Sequence, residues 1–144
     1  MAEFSDYFEN AIINLMRAVA FTEVAVYAAL FVATSTEEGD LAALDAELEA
    51  GTITKEVSTG GGTLYARQAA GLSAASGGAS ANAGDITFPT AGAAQGTITH
   101  AALMDNDTEG AGNVLMWTRL DEPKTIGDGD VFKISAGDLD VTVA

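Results

Sequence analysis

From residue 63 to the end of the chain, short runs of alternating apolar and polar residues are separated by turn-forming residues. Alternation with a period of two indicates strands that bury one face. Strands are predicted at residues 63–72, 79–83, 86–88, 96–104, 113–120, 131–134 and 139–143. Strands this short and closely spaced favour a mainly β fold, a β-sandwich of jelly-roll-like type. Pro89 and Pro123 both fall at predicted strand ends, where proline is tolerated.

One further strand is predicted upstream, at residues 23–33, which read EVAVYAALFVA. Its apolar residues have few polar gaps, as in a strand that is covered on both faces. A triple glycine follows at residues 60–62. A phosphate-binding loop would need a helix after it, with Lys and Ser or Thr at the helix start. Because the following residues alternate, we interpret the glycines as a flexible approach to a strand.

Helical periodicity appears first at the N-terminus. Apolar residues recur at spacings of three and four from Phe4 to Val19, which predicts a helix over residues 6–18. Ser5 can cap its start, and Asp6 and Glu9 suit the positive end of the helix dipole. The apolar face is wide for a lone helix, so we expect it to lie on a sheet or on a neighbouring subunit.

A second, acidic helix is predicted at about residues 40–50. Leu41, Leu44 and Leu48 fall on one stripe, Asp40 can cap the start, and Gly51 can end the helix in the left-handed conformation. Six acids between residues 37 and 49 are expected to line its outside, as on a short surface helix. We therefore divide the chain into an N-terminal helical arm, residues 1–20, and a β-sandwich domain, residues 21–144, with this helical insertion.

Charge and composition exclude several classes of function. The chain has 6 basic and 21 acidic residues, a formal net charge of −15. Nucleic acid and anionic membranes would repel it. The apolar stretch 11–33 is interrupted by Arg17, Thr22 and Glu23, so we do not expect a membrane span, and the acidic N-terminus is unlike a signal peptide. With no cysteine, the sequence offers neither a disulfide nor a thiolate nucleophile.

No residue pattern predicts catalysis, a metal or a cofactor. His100 is the only histidine, no nucleophile-elbow motif exists, and we expect the ring to be a partly buried structural group. Trp117 lies in an apolar run and is expected to pack. Asp105, Asp107 and Glu109 resemble the start of an EF-hand loop, but Met116 stands at the last ligand position. A weak calcium site there stays open beside a plain polar turn.

The apolar faces of the predicted strands give a predicted core. Its members are Val26, Leu30, Tyr65, Ile86, Phe88, Ile98, Leu103, Leu115, Phe132 and Ile134.

Several segments taken in order resemble a family of small bacteriophage virion proteins. They are SDYFENAIINLMR, VAVYAALF, EVSTGGGTLYARQA, NAGDITFPTAGAAQGTITHAALMD and GNVLMWTRLDEPKTIGDGDVFKISAGDLDVTV. Members are often labelled tail fibre protein, and some resemble capsid decoration, or cement, proteins. The resemblance implies a β-sandwich with an N-terminal helix that is built into the virion and has no enzymatic activity. The acidic helix occupies a place where relatives usually have a turn-rich loop.

The resemblance leads us to expect a cement protein on the capsid surface, made in the host cytoplasm, which binds the major capsid protein lattice and stabilises the shell. Many copies, each with a modest interface, would together bind the shell strongly. We also expect a homo-oligomer with closed symmetry, for which a trimer is the guess. Phe4, Phe8, Ile12 and Leu15 would anchor the arm on a partner, unless this face covers the domain's own sheet. The alternative is a tail fibre or head spike module that binds a host receptor or glycan.

Overall fold

The computed structural model describes residues 3–20 and 25–142. Its two helices and nine strands are, in chain order, β1 (Glu3–Phe4), α1 (Asp6–Met16), β2 (Tyr27–Phe31), α2 (Glu38–Glu49), β3 (Gln68–Ala69), β4 (Ala79–Ala81), β5 (Ile86–Thr87), β6 (Gly96–Met104), β7 (Val114–Ile126), β8 (Lys133–Ile134) and β9 (Asp140–Thr142). Neither helix in this part of the chain has the length and hydropathy needed to cross a membrane. The fold is mainly β with two helices, as predicted.

The strands form one main sheet and two small ladders, all antiparallel. The main sheet has the order β1-β7-β6-β2-β3, while β4 pairs with β9 and β5 pairs with β8. β6 and β7 form a hairpin, and β6 lies between β7 and β2 at the centre of the sheet. This arrangement of a sheet with further strands packed over it is consistent with the predicted β-sandwich.

The main sheet buries both faces, and β2 shows this most clearly. Ala28 and Leu30 point into a cluster with Phe88 and Phe132, on the side of the β5–β8 ladder. Phe31 points to the opposite side, into a second cluster. The prediction of a strand covered on both faces is confirmed, although residues 23 and 24 of the predicted strand lie outside the described residues.

The predicted core is confirmed in large part. Eight of its ten members are buried: Leu30, Tyr65, Ile86, Phe88, Ile98, Leu103, Leu115 and Phe132. The other two, Val26 and Ile134, are partly buried and pack against the core clusters. The alternation of apolar residues was therefore a reliable guide to which side chains lie inside.

The strand predicted at residues 63–72 is wrong for most of its length, since only Gln68–Ala69 is a strand. Gly61, Gly62 and Leu64 all have positive φ, so the chain turns where an extended strand was expected. Two short segments pair with this edge of β2 instead of one long strand. Val57 N–H bonds to Leu30 O at 2.9 Å, while β3 pairs with the first two residues of β2.

The strand predicted at residues 113–120 is longer in the structure, and Pro123 lies inside it, which corrects its placement at a strand end. In the register of β6 and β7, Ile98 pairs with Lys124 and His100 pairs with Arg119. Residues 120–123 therefore stand opposite the single residue Thr99, as an enlarged β-bulge. Proline is tolerated there because bulged residues leave the ladder of backbone hydrogen bonds.

The N-terminal helix starts as predicted and ends earlier. Ser5 is the N-cap, and its side chain accepts a hydrogen bond from Phe8 N–H. Ser5 also anchors the segment to the sheet, because its N–H bonds to Leu115 O at 3.1 Å and its hydroxyl bonds to Val114 O. Ala18, at φ 62°, takes the left-handed conformation, and the helix stops at Met16 instead of residue 18.

The acidic helix α2 is not the peripheral helix that its composition suggested. Leu44 and Leu48 are buried against the face of the sheet that holds Phe31, which confirms the leucine stripe. Gly51, at φ 74°, follows the helix as predicted. Asp40 is not the N-cap, because the helix begins two residues earlier, at Glu38. The carboxylate of Asp40 instead accepts a hydrogen bond from Ser35 Oγ at 2.6 Å.

Glycines in the loop 105–113 give a matched pair for a stability test. Gly110 and Gly112 both have positive φ, 71° and 80°. A Cβ at Gly110 would meet nothing within 4 Å, whereas a Cβ at Gly112 would overlap Asn106 Cβ and Asp105 Oδ1. We expect Gly112→Ala to lower the free energy of unfolding by about 1–3 kcal/mol more than Gly110→Ala, measured by urea denaturation. Equal losses for the two variants would contradict this packing.

Candidate functional site

His100 is completely buried and stands at the centre of a polar chain between the main sheet and α2. Thr99 Oγ1 accepts a hydrogen bond from Ala33 N–H at 3.0 Å. Its own hydrogen can then be donated to His100 Nδ1, 2.9 Å away. His100 Nε2 in turn lies 2.9 Å from Asp45 Oδ1. This set of partners fits a neutral ring with its proton on Nε2.

The order hydroxyl, imidazole, carboxylate is that of a catalytic triad, but here it is sealed. Thr99 is 2% exposed and His100 is 0% exposed. Because both side chains are buried, a substrate carbonyl cannot reach the Thr99 oxygen. Neither of the two surface grooves described below is lined by Thr99, His100 or Asp45. The arrangement therefore binds α2 to the sheet, which supports the structural interpretation of His100, although the ring is more deeply buried than expected.

The pKa values of both His100 and Asp45 lie below their ordinary values. Burial lowers the pKa of His100, and the hydrogen bond that the ring donates to Asp45 only partly opposes this. For Asp45, burial raises the pKa, but the hydrogen bonds from Arg119 and His100 outweigh it and hold the pKa of the carboxyl below its ordinary value. At neutral pH the His100 ring is therefore neutral and lies next to the charged carboxylate of Asp45.

A pH dependence of stability follows. Because folding lowers the pKa of His100, the unfolded chain binds more protons as the pH falls through about 6.5, and the folded state loses stability below that value. The lowered pKa of Asp45 adds a second loss at more acidic pH, in the same direction. We expect urea midpoints to fall between neutral pH and about pH 5. In His100→Gln, whose amide can still donate to Asp45, this part of the slope should vanish; an unchanged slope would contradict the assignment.

Side chains of β7 bind three acids of α2, Glu38, Asp45 and Glu49. Arg119 on β7 donates from Nε to both Asp45 oxygens at 3.0 Å and from Nη1 to Glu38 Oε2 at 3.0 Å. Glu49 Oε2 accepts from Trp117 Nε1 at 3.0 Å. The prediction that all the acids line the outside is therefore wrong for Asp45 and Glu49. Trp117 packs in the core beneath α2, as expected.

The loop that resembles an EF-hand uses its acids for protein contacts. Asp105 accepts from Asn113 N–H at 2.6 Å and from its side chain at 2.7 Å, and Glu109 accepts from Thr59 N–H at 2.8 Å. Asp107 accepts from the Thr108 hydroxyl at 3.0 Å. These carboxylates are not among the described groups that converge closely enough to hold a metal. The arrangement favours the polar turn over the calcium site.

A buried ion pair between Arg67 and Glu56 anchors the loop 105–112 to the rest of the protein. Arg67 Nε and Nη2 each lie 2.7 Å from an oxygen of Glu56, and the two side chains are 0% and 2% exposed. Arg67 Nη1 also donates to Asn106 O at 2.7 Å and Ala111 O at 2.9 Å. Tyr65 donates to Glu56 Oε1 at 3.0 Å. The pair joins the edge of β2 to the loop 105–112, and the sequence analysis did not identify it.

One group of carboxylates does converge in the described part of the chain. Asp6 and Glu9 of α1 and Glu49 of α2 have oxygens within 4.8 Å of one another. Asp6 and Glu9 are exposed, and Glu49 already accepts from the indole of Trp117. In a chain with 21 acidic residues, exposed acids often come this close, so the cluster does not define a metal centre.

The four predicted partner-binding residues, one on β1 and three on α1, differ in how far they are buried. Phe4 and Phe8 are half-buried against the chain's own core, with ring centroids 5.2 Å apart in an edge-to-face contact. Ile12 is half-buried, and Leu15 is 57% exposed. The structure thus brings the first two onto the domain and leaves the last open to solvent. Their role in binding a partner stays a prediction.

Beside β7, the chain forms a groove that the sequence analysis missed, because its walls come from segments far apart in the chain. It has a volume of about 260 Å³ and lies between the β6–β7 hairpin and residues 138–141. A wider and more open surface groove of about 1000 Å³ continues from it along the bulge of β7 toward β8. The bulge at residues 120–123 borders both, so an irregular strand, which alternation cannot reveal, creates this feature.

The described residues thus form a mainly β fold whose main sheet is covered by apolar clusters on both faces, and none of their buried side-chain polar atoms lacks a hydrogen-bond partner. Consistent with this, the chain belongs to the family described as Podophage GP4 fiber I protein gp80, which it matches over residues 3–142. The resemblance to phage virion proteins labelled tail fibre is confirmed, and the chain is a structural component of a phage particle. No curated protein matches it.

Proposed function

We propose that this protein is a structural subunit of a phage fibre, and that it acts by packing against other subunits and not by catalysis. The observation that carries the proposal is the match to the fibre I family, which covers residues 3–142 of the 144 residues. The sealed arrangement of Thr99, His100 and Asp45 supports it, because the one triad-like set in the described residues has no access for a substrate.

The placement of the aromatic residues favours a structural role over recognition of a host glycan. Sugar-binding sites commonly use an exposed aromatic ring as a stacking platform, but Trp117 is 6% exposed and Tyr65 is 3% exposed. Among the described aromatic residues, Tyr7 is the one with a large exposed fraction, 40%, and it lies on α1. A receptor-binding role would need another type of contact surface.

A second candidate is the capsid cement protein expected from the sequence, with the major capsid protein as its partner on the capsid surface. The observation that favours it is the apolar side chains that α1 leaves exposed, Leu15 at 57% and Met16 at 85%, since a cement protein needs a face that adheres to the shell. A fibre subunit needs such a face as well, so this feature supports both roles.

The location of the protein on the particle separates the two roles. Purified phage would be disrupted, heads and fibre-bearing tails separated, and each fraction quantified by mass spectrometry against the major capsid protein. We expect the chain in the fibre-bearing fraction at a few copies per particle. Regular stoichiometric copies on heads, together with shells that lose stability when the protein is removed, would replace the fibre proposal with the cement role.

A further inference from the structure

The second half of α1 and the residues after it form an exposed apolar surface, which we call the α1 tip (residues 12–19). Ile12 is half-buried, but Leu15 is 57% exposed, Met16 85% and Val19 51%. Single exposed apolar residues are ordinary on protein surfaces, but several within one short segment indicate a contact surface.

The charge of the α1 tip is opposite to that of the rest of the molecule. Residues 10–20 contain no acid and one base, Arg17, in a chain of net charge −15. Four of the six basic residues are in ion pairs: Arg67, Arg119, Lys124 and Lys133. Among the described residues the Arg17 side chain donates a hydrogen bond to Asn14 Oδ1 of its own helix, at 3.4 Å, and is in no ion pair. The matching surface is therefore an apolar one with acids around it.

The groove beside β7 has that character. Apolar side chains from distant segments contribute to its walls, among them Leu103, Met116, Leu120, Leu139 and Val141. Asp121, Asp138 and Asp140 also border it, together with Arg119, whose charge is paired with Glu38 and Asp45, and we call it the aspartate-rimmed groove. All three aspartates are exposed and none is in an ion pair with a described residue. Its volume of about 260 Å³ is below the about 300–1,000 Å³ of small-molecule sites and suits a few side chains.

We propose that the α1 tip of one copy of this chain docks into the aspartate-rimmed groove of a second copy, with Leu15 and Met16 in the groove and Arg17 facing the rim. A second copy is the fitting occupant because one chain carries both halves of the match, in apolar surface and in charge. The inference rests on the proposed function, since a fibre is built from repeated copies.

The contact joins two different surfaces, so it can form twice in a reciprocal two-fold dimer or repeat head to tail in a closed ring or a continuing filament. Each copy gives one tip and receives one. The arrangement also brings together an acid-free segment that carries Arg17 and an acidic rim, which reduces the repulsion that copies of charge −15 would otherwise meet. The repeat of one modest contact around a ring supplies strength without a large interface.

The first test is the mass of the purified full-length protein by sedimentation velocity over micromolar concentrations. We expect the wild type to associate and Met16→Glu to weaken association by at least about a hundredfold, because an unpaired carboxylate would be buried in an apolar groove. Met16 is 85% exposed, so the variant should fold, which circular dichroism would check. Leu64→Glu is the control: it adds the same charge at an exposed apolar residue that lies outside both the α1 tip and the groove.

The second test asks whether Arg17 meets the rim. Arg17→Glu should weaken association by at least about tenfold, since it places like charges together. Adding Asp138→Arg and Asp140→Arg to that variant should restore most of the loss. A wild type that stays monomeric throughout, or an Arg17→Glu variant that associates like the wild type, would overturn the docking. Either result would leave the fibre proposal intact, because that is decided by the location on the particle.

Discussion

Replacing Arg67 with methionine should lower the free energy of unfolding by about 3–5 kcal/mol, the cost of leaving one partner of a buried ion pair uncompensated. Glu56 is 2% exposed, so its charge would stay out of water without the guanidinium that now contacts both of its oxygens. The carbonyl oxygens of Asn106 and Ala111 would lose their donor as well. Urea denaturation at neutral pH would measure the loss.

Lys133→Met is the matched control for this experiment. Lys133 and Asp85 are also an ion pair, with 2.9 Å between Nζ and Oδ2, but their side chains are 48% and 49% exposed. An exposed pair contributes only about 0–1 kcal/mol, so the control should lose little stability. If the two variants lost equal stability, burial of the Arg67–Glu56 pair would not be what stabilises the loop 105–112.

The second large effect is expected at Leu48, on the inner face of α2. Leu48 is 0% exposed and packs with Phe31 and Trp117, so Leu48→Ala would open a cavity under the helix. The expected loss is about 2–5 kcal/mol, measured by thermal or urea unfolding. A helix that merely lay on the surface would lose far less, so this measurement decides between the structure and the peripheral helix that the composition suggested.

Leu64→Ala removes the same atoms from a leucine that is 62% exposed and should change stability by no more than about 0.5 kcal/mol. A loss at Leu48 as small as the loss at Leu64 would show that α2 is not part of the core. A large loss at Leu48 that also removed the pH dependence assigned to His100 would show that the helix and the histidine form one unit, because Asp45 is carried by α2.

Periodicity predicted the elements whose side chains simply alternate between core and solvent. The strand predicted at residues 96–104 matches β6 in both of its bounds, and Ser5 caps α1 as expected. Both features depend on local physics: a strand buried on the faces of a sheet, and a hydroxyl that satisfies a free N–H at a helix start. Such signals are contained in a few adjacent residues.

The features that were missed depend on contacts between distant residues. The composition of α2 showed that it has six acids but not that Asp45 would meet His100 and Arg119, residues 55 and 74 positions away. The bulge opposite Thr99 was invisible because LDEP reads as the end of a strand. The aspartate-rimmed groove follows from that bulge. A sequence pattern reports the environment of each residue but not its partner.

The position of β2 in the main sheet has a consequence for how the protein is made. β2 is complete at Phe31, but its central neighbour β6 begins only at Gly96, and β7 follows later still. On a ribosome the apolar segment YAALF therefore emerges long before the strand that covers it, and the sheet can close only when most of the chain has been synthesised. Pairing between such distant segments slows folding, so aggregation-prone intermediates persist for longer. The high negative charge of the nascent chains would keep them apart during this interval.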